Sequence, residues 1–130
     1  MIIDVSNEIY TKLKTEIINC QVSLDNPPDT PVFPCLTFTE MSNTTNATSV
    51  DTSGEKHNIV TLEINIFTTG DTKLADMKRI RSEVDSIMSD YYGMNRSSSS
   101  AIPNYSDTNI YRYVLRYDFI IDMKKTIYRR

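Results

Sequence analysis

A single histidine, two cysteines and three glycines limit the catalytic chemistry open to this 130-residue chain. A metal site or a Ser-His-Asp triad would have to use His57. That residue begins an apolar–polar alternation beside a polar stretch, with no second His and no Cys nearby, and reads as a solvated or hydrogen-bonding side chain. Cys20 and Cys35 form no C-x-x-C. The first residues, MIIDVSNEIY, lack the basic-then-apolar order of a secretory signal, so the two cysteines are expected as reduced thiols. Gly54, Gly70 and Gly93 belong to no phosphate-cradling motif. Asp118 and Asp122 are spaced as paired carboxylates, which can move protons or hold Mg²⁺. They alternate with Arg112 and Arg116, and a same-face charge ladder is the expectation. Glu40, Asp51 and Glu55 have no fixed spacing. No catalytic, cofactor or metal residue is assigned.

Binding chemistry has more to work with. YRYVLRY (111–117) combines rings and arginines, the materials of a single-stranded nucleic-acid platform. Strand alternation, however, puts Tyr111, Tyr113 and Tyr117 on the face of Leu115, Phe119 and Ile121, and the arginines on the other. The sequons at Asn43, Asn46, Asn95 and Asn104 are explained by Ser/Thr/Asn-rich loops without glycans.

These residues need elements to position them. Val5, Ile9, Leu13 and Ile17, widened by Ile2, Tyr10 and Ile18, predict an amphipathic helix over 4–19, with Asp4 or Ser6 as N-cap. Four prolines within residues 27–34 make a stiff extended connector. CLTFTEM (35–41) reads as a half-buried strand. SNTTNATSVDTS (42–53) follows, nine of its twelve residues Ser, Thr or Asn. HNIVTLEINIFTT (57–69) is the cleanest strand, with Val60, Leu62, Ile64 and Ile66 facing the core, so 42–56 becomes the long tip of an antiparallel hairpin. A second helix starts at Asp71 or Thr72 and carries Leu74, Met77, Ile80, Val84, Ile87, Met88 and Tyr91 on one stripe, ending at Gly93. Residues 94–107 form a weaker candidate edge strand, and NIYRYVLRYDFIID (109–122) closes the series. The expected fold is α+β: two amphipathic helices packed on a mostly antiparallel sheet with a long polar hairpin loop, in the order α-β-β-α-β-β. It makes a single domain, 1–130, with a short basic tail at 123–130.

Length suffices for a core without disulfides or metals, and no run of about 18 apolar residues spans a membrane. Charge is uneven: residues 1–108 carry 15 acids and 8 bases, and residues 109–130 carry 2 acids and 6 bases. A basic end on an acidic body can steer a partner, or draw copies of one chain together head to tail.

Taken in order, the N-terminal helix, the Pro-rich approach PPDTPVFPCLTFTE, the polar loop, HNIVTLEINIFTTG running into DTKLADMKRIRSEVDSIM, and the closing aromatic strand resemble a phage family. It is that of the small head–tail joining proteins of tailed phages, in particular the siphophage tail terminator (tail completion) group. Contractile-tail neck proteins and related prophage minor capsid proteins share this texture. The resemblance covers nearly the whole chain. It implies an α+β virion structural protein without enzymatic activity or cofactor, assembled in the host cytoplasm as a hexameric ring. Such a ring caps the tail tube protein and meets the head–tail connector protein, with no membrane partner. DNA passes through its lumen without sequence-specific binding. Candidate assembly contacts are then Asn43, Thr45, Asn46, Thr48, Asp51 and Glu55 on the polar loop and Lys124, Lys125, Arg129 and Arg130 in the tail. The loop also reads as a plain polar insertion, which loop-closure entropy tolerates cheaply. The alternative function is a nucleic-acid-binding module using the 109–122 strand.

Overall fold

A computed structural model describes residues 4–25, 31–45, 57–103 and 109–129, the side chains of Thr45 and Arg129 excepted. The fold is α+β. In chain order the elements are α1 (Ser6–Glu16), β1 (Gln21–Leu24), β2 (Cys35–Thr45), β3 (His57–Thr69), α2 (Lys73–Asp85), a π-helical turn (Ser86–Tyr91), β4 (Asn95–Ile102), β5 (Ile110–Asp122) and β6 (Ile127–Arg129). The strands form one sheet in the order β1-β2-β3-β5-β4, with β6 also paired to β5. Only the β1–β2 pair is parallel.

The long strands form because their apolar residues alternate. Val60, Leu62, Ile64 and Ile66 of β3 and Leu115, Tyr117, Phe119 and Ile121 of β5 all point to one face. Ile9 and Leu13 of α1 and Met77, Ile80 and Val84 of α2 belong to the same apolar cluster, which Leu36 and Phe38 of β2 complete. Each of these side chains contributes about 1.5–3 kcal/mol by leaving water. Among the described residues, the opposite face of the sheet contributes no side chain to this cluster.

Several expectations need correcting. The element order gains two strands, β1 and β6, which are too short to show a period and exist by pairing with β2 and β5. Residues 42–45 belong to β2 rather than to a loop, since the ladder with β3 continues past a bulge at Met41 to Thr45↔Asn58. Residues 46–56, with the rest of the expected polar loop, lie outside the described residues. Helix α1 stops at Glu16, because Ile17 is already extended and Asn19 is left-handed at φ 53°. Its N-cap is Val5 rather than the expected Asp4 or Ser6, and no side chain caps it; Asp4 Oδ1 accepts from the Ser6 N–H at 2.8 Å just ahead of the helix.

The second helix departs from its predicted stripe at both ends. Leu74 and Tyr91 are exposed. At Ser86 the helix widens into the π turn, and the Tyr92 N–H bonds to Ile87 O at 3.0 Å. The wider turn changes the phase of the following residues, so Tyr92 packs against the core and Tyr91 turns to water. Gly93, at φ 73°, then lets the Met94 N–H reach Met88 O and end the helix.

Candidate functional site

Strand direction brings distant segments of the chain to one end of the sheet. The stem of the β2–β3 hairpin closes with Thr45 opposite Asn58, and the neighbouring His57 lies opposite Asp122, the last residue of β5. From Asp122 the chain turns into β6, where Ile127 pairs back onto Ile121. The root of the 46–56 segment and the turn carrying Lys124 and Lys125 therefore share a rim. The start of α1 joins them, because Lys125 Nζ lies 3.7 Å from Glu8 Oε1.

Asp122 organises this rim. Its Oδ1 accepts from the Lys124 and Thr126 N–H groups, each at 2.9 Å, and its Oδ2 accepts from the Tyr128 hydroxyl at 3.0 Å. The bond from the Thr126 backbone, helped by Tyr128, Lys124 and the charge of His57, holds this carboxyl below the usual aspartate range. The hydrogen bond from Tyr128 to Asp122 in turn raises the Tyr128 hydroxyl. The His57 ring meets Tyr128 edge-on at 6.0 Å, and its Nδ1 is buried without a hydrogen-bond partner among the described residues. His57 is thus half-buried, one side of its ring against Tyr128.

Of the candidate contacts, the rim gathers Asn43, Thr45, Lys124 and Lys125. Asn43 faces inward: it donates to Glu40 Oε1 at 2.9 Å and accepts from Asn58 Nδ2 at 2.8 Å. Lys124 is exposed, and Lys125 sits in a left-handed turn at φ 63°. Arg129 lies in β6. Asn46, Thr48, Asp51, Glu55 and Arg130 lie outside the described residues, as does the sequon Asn104.

The helix-free face carries a charge ladder, but across strands rather than along one. Arg116 Nε pairs with Glu63 at 2.9 Å, and Arg112 Nε donates to Asn65 Oδ1 at 2.9 Å while lying over the Phe67 ring. Asp118 accepts from Thr61 rather than from an arginine, because Thr61 stands directly opposite it. Burial would raise Glu63, but its bonds with Asn65 and Arg116 outweigh that and lower it. Tyr117 is buried in the core and the Tyr113 ring lies against the Arg81 guanidinium, so neither offers a free face for stacking bases.

The chemistry open to the remaining groups is narrow. Burial pushes Cys20 up to about 12 and Cys35 up to about 11, which leaves both as protonated thiols at neutral pH. The two are not bonded to each other. Among the described residues no cluster of His, Cys, Asp or Glu is arranged to hold a metal ion. No helix among the described residues is long and apolar enough to cross a membrane. No protein-family model matches the chain, and no curated protein matches it significantly.

Proposed function

We propose that this chain is a structural subunit of a phage or prophage particle, a tail terminator or neighbouring neck protein that assembles as a ring between tail tube and head connector. The observation that carries this reading is the shared rim. The hairpin stem leading to the Ser/Thr/Asn-rich loop and the basic β5–β6 turn are more than sixty residues apart in sequence, and both lie at one end of the sheet. A ring subunit needs such a rim, because heterologous contacts join one patch to a different patch on the next copy. The α+β class, the hairpin and the closing aromatic strand support the resemblance in the sequence. The helices packed on a mostly antiparallel sheet belong to the same reading.

A nucleic-acid-binding module keeps less support. Its rings are in the core, and Arg112 and Arg116 are held by Asn65 and Glu63.

The test is assembly itself. Light scattering and negative-stain microscopy of the purified chain, alone and with tail tubes, are expected to show closed rings or capped tubes at low salt. Replacing Lys124, Lys125, Arg129 and Arg130 together with Glu is expected to abolish them. Rings that form unchanged in that variant would remove the basic turn from the interface. A chain that stays monomeric with and without tubes would overturn the reading.

A further inference from the structure

A cleft of about 550 Å³ opens between α2 and the β4–β5 edge, away from the rim described above. Arg81, Asp85, Arg96, Ser99 and Tyr113 line it. Two departures from regular backbone border it. One is the end of α2, where Asp85 and Ser86 stand at the junction with the π turn. The other is the bulge in β4 between Arg96 and Ser98. Residues 96 and 99 are three apart and would face opposite sides of a regular strand. The bulge puts both on the helix-covered face, Arg96 opposite Tyr117 and Ser99 opposite Leu115. The bulge therefore aims Arg96 and Ser99 toward the same space that Asp85 enters from the end of α2.

The hydrogen bonding inside the cleft is lopsided. Asp85 has three partners: Oδ1 accepts from Tyr117 at 2.8 Å and Ser89 at 2.9 Å, and Oδ2 meets Arg96 Nη1 at 3.1 Å. Arg81 is the opposite case. Its guanidinium lies 5.2 Å from the centre of the Tyr113 ring and, among the described residues, donates only to the Tyr113 hydroxyl, at 3.4 Å. Arg79, Arg96, Arg112 and Arg116 each meet a carboxylate or an amide oxygen among the described residues, and Arg81 meets neither. A guanidinium carries five N–H donors in a fork that matches a carboxylate. Tyr113 also hydrogen-bonds Ser99. Burial would raise Tyr113, but Ser99 and Arg81 outweigh it and lower the hydroxyl, as expected where positive charge is concentrated.

We infer that this cleft binds a carboxylate, the side chain of an Asp or Glu on a protein partner, with Arg81 as the principal donor and Arg96, Ser99 and the Tyr113 hydroxyl around it. Two guanidinium groups and one carboxylate leave the lining with a single positive charge. A monoanion balances that charge. A phosphate dianion would overshoot it beside Asp85. Arg81 is partly exposed, so the ligand enters from the surface without unfolding the helix. The inference rests on the cleft alone and stands whether or not the chain forms rings.

The experiment is an NMR titration of the intact chain, followed at the Arg81 Nε–H and the Ser99 amide. The probes are acetyl-Gly-Asp-Gly-amide, the same peptide with Asn in place of Asp, and inorganic phosphate. The expected result is saturable shifts with the Asp peptide and none with the Asn peptide. Binding should weaken at least tenfold in Arg81→Gln, with Arg81→Lys between the two because the charge remains and the fork is lost. Arg81→Lys also carries the comparison if Arg81→Gln disturbs α2. Shifts that fail to saturate, that match those of the Asn peptide, or that persist in both variants would overturn the inference. Tighter binding of phosphate would overturn it in favour of a phosphate ligand.

Discussion

Asp122 shows how a residue's role depends on partners that sequence does not display. Its position in the alternation suggests a charge ladder with Arg112 and Arg116, yet two of its partners are backbone N–H groups of the turn that follows. Because the folded carboxyl lies below the ordinary aspartate value, its stabilisation is present above that value and fades as pH falls through the lowered one. Asp122→Asn should therefore speed amide exchange at Lys124 and Thr126 at neutral pH. The difference from wild type should close in acid, once the wild-type carboxyl is itself protonated. Persistence of the difference in strong acid would show that shape rather than charge matters. The cysteines give a second prediction at this scale. With thiols raised to about 12 and about 11, native protein should react with a disulfide reagent at pH 8 at least tenfold more slowly than the urea-unfolded chain. Equal rates would mean that one thiol is exposed as a thiolate. That the cysteines are unpaired was legible from their spacing. Their burial was not: alternation sets Cys35 on the strand face opposite Leu36 and Phe38, yet it is buried.

At the level of elements, legibility followed length. Strands β3 and β5 could be read from their alternation, because thirteen residues give a period room to appear. β1 and β6 have four and three residues and lie next to a Pro-rich connector and a basic tail, so their strand character comes from pairing alone. The second helix was legible in its middle and misleading at its end, where the π turn exchanges Tyr91 for Tyr92 at the core. Gly93 fixes where that helix stops. A Cβ there would meet nothing within 4 Å, so Gly93→Ala carries a conformational cost only, about 1–2 kcal/mol for a left-handed alanine. Urea unfolding should show a lower midpoint with an unchanged slope. No change would mean that the turn relaxes to another backbone geometry. The β3–β5 ladder adds a pH dependence. Glu63 is held below its ordinary value by Asn65 and Arg116 against the opposing effect of burial, so its share of stability exists above about pH 4.5 and is lost below its lowered folded value. Glu63→Gln should flatten the acid limb of the stability curve in that window, and an unaltered limb would assign acid sensitivity to other carboxylates.

For the molecule as a whole, folding and assembly draw on different residues, and the two can be separated. Folding rests on one apolar cluster shared by both helices and the sheet. Leu62→Ala removes a fully buried side chain from its middle and should cost about 2–5 kcal/mol, whatever becomes of assembly. The basic turn and tail contribute little to that cluster. The Lys125–Glu8 pair is long and exposed on both sides, and such pairs are worth about 0–1 kcal/mol. Replacing Lys124, Lys125, Arg129 and Arg130 with Glu should therefore leave the thermal midpoint within a few degrees of wild type. On the ring proposal the same variant loses assembly, because the acidic body of the neighbouring copy then meets an acidic tail. Wild-type assembly should weaken as salt is raised, since surface attractions are screened beyond about 8–10 Å at physiological ionic strength. A variant that unfolds would place the tail within the fold. A variant that folds and assembles, with wild-type rings indifferent to salt, would leave the contrast between basic end and acidic body without a role in assembly.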